Sequence, residues 1–129
     1  MTKKSKIQLS ANDLACEIAH IAKDRNCEDI VVIDVNDVSP ITNCFVIATG
    51  TSDRQIRSLA DELKSIGKKI GHPAWHIAGT DTAEWIVMDF VDVVVHLFVE
   101  DVREFYDLEM IWGQSPKLDW ENYSPRIED

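Results

Sequence analysis

Several things are scarce in this sequence, and each shortage excludes something. Its 129 residues include only three cysteines, Cys16, Cys27 and Cys44, with no Cys-x-x-Cys spacing. An odd number cannot all pair within the chain. Free thiols in a reducing, cytoplasmic setting are therefore expected, not a disulfide scaffold. No apolar run approaches the roughly 20 residues of a membrane helix, so no membrane association is expected. The opening Met1-Thr2-Lys3-Lys4-Ser5-Lys6 is basic, but no long apolar segment follows it, so it does not read as a secretory signal. Positive charge is also short: 13 Lys and Arg stand against 23 Asp and Glu, a net charge of −10. Phosphate backbones repel such a chain, which argues against nucleic-acid specificity through a broad basic face, and a basic protein partner is attracted instead. Internal repeats and low-complexity tracts are absent.

What is present is enough for one folded domain. Hydrophobic residues make up 45% of the chain, and its length suits a single core. Residues 1–9 read as a flexible lead, 10–112 as the domain and 113–129 as a tail that docks through Trp120 or Tyr123 without extending the core. Ser10 is placed to cap a first helix whose apolar face is Leu14, Ile18, Ile21 and Ala22. Glu28 to Val35 is a strand with few polar interruptions, which places it centrally in a sheet. Ile41 to Thr49 is the second strand. Ser52 and Gln55 form a capping box for a helix with Ile56, Leu59, Ala60, Leu63 and Ile66 inward, stopped at Gly67. Pro73 to Ala78 is a short strand at a start or an edge.

The richest stretch is 81–112. Two runs, Glu84–Phe90 and Val93–Val99, carry Val, Ile, Trp and Phe, which suits buried strands, and only Val91 and Asp92 separate them. A last helix follows, with Asp101 and Glu104 as a capping box, Val102, Phe105, Leu108 and Trp112 as its stripe and Gly113 at its end. Helices mixed among five strands predict a single-domain α/β sandwich with a mixed five-stranded sheet, nucleotidyltransferase-like in outline.

Catalytic and metal chemistry find little support. Gly50-Thr51-Ser52 resembles the Gly-Ser turn of nucleotidyltransferases, but no paired carboxylates follow to hold Mg²⁺, and Ser52 reads as a helix cap. His20, His72, His76 and His96 do not cluster at ligand spacing, and His96 has no nucleophile beside it. No cofactor or metal is expected. The six rings Trp85, Phe90, Phe98, Phe105, Tyr106 and Trp112 are more than a small core absorbs easily. Tyr106 stands one step off the helical stripe and Phe90 at a hairpin tip, so these two are the better partner-facing candidates.

Several segments carry a family resemblance. Val94-Val95-His96 followed by Arg103, Tyr106-Asp107-Leu108-Glu109 and Trp112 is similar to the ending of the ribosomal silencing factor (RsfS, or Iojap) family. Trp85, Asp89 and Asp92 match the segment before it. Ile41 to Phe45, Gly50-Thr51-Ser52, Gln55 and Ala60-Asp61 resemble the family's earlier segments, in the expected order. The resemblance implies a non-enzymatic protein that binds the large ribosomal subunit at its protein fourteen and sterically blocks joining of the small subunit. It also implies that translation is lowered in this way when nutrients are scarce, and that the free protein forms a homodimer. By position it implies Trp85, Met88, Phe90, Arg103 and Tyr106 as partner-binding residues. Three positions depart from the family: Asn43 stands for Asp, Ala78 for Glu and Val91 for Gly. The last is costly in a tight turn, since positive φ resists a β-branched side chain.

Overall fold

The computed structural model describes residues 8–107, 110 and 112–127, apart from the Phe105 side chain. Helix α1 (Ala11–Asp24) leads into β1 (Glu28–Asp34) and β2 (Cys44–Gly50). Next come α2 (Asp53–Ile70), β3 (His76–Ala78), β4 (Trp85–Asp89), β5 (Val93–Val99) and α3 (Glu100–Tyr106), then a short 3-10 turn at Trp120–Asn122. The strands form one mixed sheet in the order β1-β2-β5-β4-β3, with β2 and β5 parallel and the other neighbours antiparallel. This is the expected single-domain α/β architecture.

The helix starts follow local chemistry. The Ser10 hydroxyl accepts the Asp13 N–H at 3.1 Å, and that of Ser52 accepts the Gln55 N–H at 3.1 Å. The Gln55 side chain accepts the Thr51 N–H, one residue before the cap, rather than the Ser52 N–H that the expected capping box requires. Gly50 is required just before it, because a Cβ there would lie 2.2 Å from Ile56 Cγ2. Both long helices pack on one face of the sheet. Leu14 and Ile18 of α1 and Ile56, Leu59 and Leu63 of α2 bury themselves against Val32, Val46, Ile86, Met88, Val95 and Leu97. Each such side chain contributes roughly 1.5–3 kcal/mol by leaving water. On the opposite face Ile33, Val35, Ile47 and Phe98 form a smaller buried cluster, with Val102 of α3 and Trp112 packed against it.

Four expectations need correcting. First, β1 is an edge strand, not a central one. Its apolar run persists because the chain's end covers that edge: the Asp34 N–H donates to the Pro116 carbonyl at 2.8 Å and the Leu118 N–H to that of Val32 at 2.9 Å. Second, α2 runs past Gly67 to Ile70 and stops at Gly71, which takes the left-handed φ of 88°. Gly67 stays helical because it is a packing site, where a Cβ would sit 3.0 Å from the Phe90 ring. Third, α3 starts at Glu100 without a side-chain cap and ends at Asp107, φ 47°. Asp101 caps nothing, and Trp112 reaches the sheet from beyond the helix; Leu108 and the Phe105 side chain lie outside the described residues. Fourth, the tail joins the core: Trp120 is 9% exposed and belongs to the main cluster.

Val91 takes φ 77° in the turn between β4 and β5. The Asp92 N–H donates to the Phe90 carbonyl at 3.0 Å, a γ-turn, and Asp89 Oδ1 accepts the Val91 N–H at 2.7 Å. Such a conformation costs a β-branched residue on the order of 1–3 kcal/mol. Val91→Gly is therefore expected to stabilise the fold by about 1 kcal/mol after glycine's larger unfolded-state entropy is subtracted. A urea midpoint that stays level or falls contradicts this.

Candidate protein interface

Strand pairing assembles the face that the long helices leave open. Trp85 lies opposite Phe98, Val87 opposite His96 and Asp89 opposite Val94 across β4 and β5. Across the parallel pair, Phe45 aligns with Val94, Ile47 with His96 and Thr49 with Phe98. Alternation along each strand puts all of these on one side. Helix α3 and Trp112 cover part of this face, while Phe45, Trp85, Val87 and Val94 stay half-buried. Tyr106, at the end of α3, is 47% exposed.

The rings form one connected group. The Trp85 centroid lies 4.5 Å from Tyr106 and 4.9 Å from Phe98. Phe45 meets His96 and Trp112 edge-on at 5.3 and 5.1 Å. The Trp85 indole N–H donates to His96 Nδ1 at 3.1 Å, which assigns the neutral tautomer protonated at Nε2. Burial lowers the His96 pKa from 6.5 to about 4. Its contribution to stability is complete above pH 6.5 and is lost as pH falls towards 4, because the unfolded chain takes up the proton first. Between pH 7 and 4.5, wild type should lose roughly 2–3 kcal/mol more than His96→Gln in urea unfolding. Parallel pH profiles for the two proteins contradict this.

The five partner-facing candidates divide. Trp85 and Tyr106 come together on the open face. Met88 and Phe90 do not: they are 0% and 6% exposed. Strand alternation carries both to the helix side, where Phe90 packs over Gly67. The hairpin tip does not release Phe90 from that parity, so the face is shared by Trp85 and Val87 instead. Arg103 is half-buried and donates to Thr49 Oγ1 at 2.7 Å and to the Asp29 carbonyl, clamping α3 to β1 and β2. Phe45, Val87, Val94 and Trp112 were missed as face residues. The alternation of Phe45 and Ile47 against Val46 and Ala48 was the available signal, but the β2–β5 pairing that gives it meaning is not local.

Carboxylates rim this region. A cleft of about 440 Å³ is lined by Thr82, Glu84, Trp85, Asp101, Val102 and Tyr106. Beyond α3 a second cleft includes Asp29, Glu100, Glu104 and Asp107. Among the described residues, no group of three or more His, Cys, Asp or Glu side chains could hold a metal ion, and no helix is long and apolar enough to cross a membrane. All three cysteines are free and buried. Burial first of all pushes their thiols up, Cys16 and Cys27 to about 11 and Cys44 to about 12, so they are poor nucleophiles near neutrality.

Comparisons with known proteins agree with this fold. Residues 8–129 match the family described as "Ribosomal silencing factor during starvation". The chain is 35% identical over 119 residues to the ribosomal silencing factor RsfS of Bacillus subtilis, covering 92% of this chain and 94% of that one. The Haemophilus influenzae RsfS is 44% identical over 85 residues, 66% of this chain and 83% of that one. A crystal structure of a Chromobacterium violaceum protein superposes with a TM-score of 0.78 at 28% identity, covering 86% of this chain and 93% of that one. With nearly the whole described fold matched, the chain belongs to the ribosomal silencing factor family.

Proposed function

We propose that this protein silences translation in the cytoplasm by occupying protein fourteen of the large ribosomal subunit, so that the small subunit cannot join. The mechanism is steric and needs no catalysis. One observation carries the reading: a half-covered, ring-bearing sheet face in a family member of net charge −10. Contiguous apolar surface of this kind marks interaction sites. Trp85 and Tyr106 serve as its anchors, since large rings at a half-desolvated centre dominate binding energy. Phe45, Val87 and Val94 flank them. The carboxylates of α3, Glu100, Asp101 and Glu104, supply the complement to a basic ribosomal protein and speed the encounter. When free, a second copy covers the same face, so homodimer and ribosome compete for it.

The test is subunit joining. Large subunits preincubated with this protein should fail to form complete ribosomes when small subunits are added, and should form them when the Trp85→Ala, Tyr106→Ala double variant is used. Normal joining with the wild-type protein in excess removes the occlusion mechanism.

A further inference from the structure

The longest stretch without Asp or Glu runs from residue 63 to residue 80, and it carries Lys64, Lys68, Lys69, His72 and His76. In a chain with ten more acids than bases, this is a local reversal of sign. Lys64 and Lys68 lie one turn apart on α2, with Lys69 beside them, and all three are exposed. None of the three is in an ion pair among the described residues. Of the nearby carboxylates, Glu62 binds Arg25 and Asp89 holds the Val91 N–H, while Asp61 shares a cleft with Lys64 and Arg57. The helix dipole favours lysines at this end of α2. It does not account for the exposed indole of Trp75 on the segment that follows α2.

After Gly71 the His72 N–H returns to the Gly67 carbonyl at 2.8 Å, and the Trp75 N–H donates to the Asp89 carbonyl at 2.6 Å. The backbone carrying Trp75 is thus fixed at the sheet edge, yet the side chain is 78% exposed. An exposed indole on the same acid-free stretch as three exposed lysines supplies the two chemistries that grip single-stranded nucleic acid, phosphates on the cations and a base stacked on the ring.

We propose that Lys64, Lys68, Lys69 and Trp75 form a contact for single-stranded RNA. The lysines lie on the α2 side of the sheet and meet the proposed docking face only at the β3 edge, where His76 pairs with Asp89, which pairs in turn with Val94. That placement rests on the silencing reading, whereas the RNA chemistry does not. A partner seated on the open sheet brings ribosomal RNA over this edge, where the stretch from 63 to 80 adds no acid of its own to repel it.

The test uses the full chain and a labelled single-stranded RNA of about 12 nucleotides, followed by anisotropy at about 50 mM salt and upwards. Binding should weaken steadily as salt rises. Lys68→Ala with Lys69→Ala should weaken it roughly tenfold and flatten the log–log salt slope by about one. Trp75→Ala should weaken it about tenfold with the slope unchanged, and an exposed site makes loss of fold no concern. The proposal is overturned by absence of RNA binding, by equal binding of the variants, or by competition from oligoglutamate as strong as from RNA, which identifies an acidic protein as the partner. RNA binding without large-subunit binding defeats the silencing reading alone, and the reverse result defeats this one alone.

Discussion

Replacing Trp85 and Tyr106 together by alanine should weaken binding to purified large ribosomal subunits by about a hundredfold or more. Truncating a central interface ring typically costs about 2 kcal/mol or more. The two rings touch at 4.5 Å, so their losses will not simply add. The single variants separate the causes. Tyr106 sits at the end of α3, 47% exposed, and its removal should leave thermal stability nearly unchanged while binding falls. Trp85 also donates to His96 and stacks on Phe98, so Trp85→Ala costs stability as well as affinity. Trp85→Phe keeps a ring and loses only the indole N–H, and it should recover much of the binding. Affinity of the double variant within twofold of wild type, with its circular dichroism intact, removes this face from the interface.

Trp120→Ala should cost about 3–5 kcal/mol and lower Tm by roughly 10 °C or more. The Trp120 ring fills a core position and meets His20 edge-on at 5.2 Å, while its indole N–H donates to the Ile30 carbonyl at 3.1 Å. The backbone of the same residue accepts from His20 Nε2 at 2.8 Å. Removing residues 115–129 should cost more still. Glu17 is 1% exposed, and its carboxylate is held by the Tyr123 hydroxyl at 2.7 Å and by the N–H groups of Arg126 and Ile127 at 2.7 and 3.2 Å. Without the tail that buried group loses all three donors, and the β1 edge loses its cover. Burial, together with the bond to Glu17, pushes the Tyr123 phenol well above its ordinary range, so this arrangement stays intact across neutral pH. A truncated protein that melts with the full chain shows the tail to be an appendage.

The contrast between what could be read and what could not tracks the range of the interactions. Ser10 and the Ser52–Gln55 pair bond within four residues, so both helix starts were legible. The alternating runs of β4 and β5 were legible for the same reason. The rank of β1 was not, because its cover comes from residues 116–118, far along the chain. Gly67 looked like a helix stop because glycine usually is one. Its packing against Phe90 is a tertiary fact. Family position points Met88 outward, and a place at the hairpin tip as well as family position points Phe90 outward, but the parity of the strand carries both inward. The open face as a whole depends on β2 lying parallel beside β5, which no local pattern encodes. Trp85 and Tyr106 could be singled out only because aromatic excess and a helical offset are visible without knowing that pairing.

The most direct measurement is binding of this protein to large subunits prepared with and without protein fourteen, together with the isolated protein fourteen itself. Tight, salt-sensitive binding to the complete subunit and to the isolated protein is predicted, with both abolished by Trp85→Ala and Tyr106→Ala. Equal binding to subunits that lack protein fourteen, or indifference to those two side chains, contradicts the account.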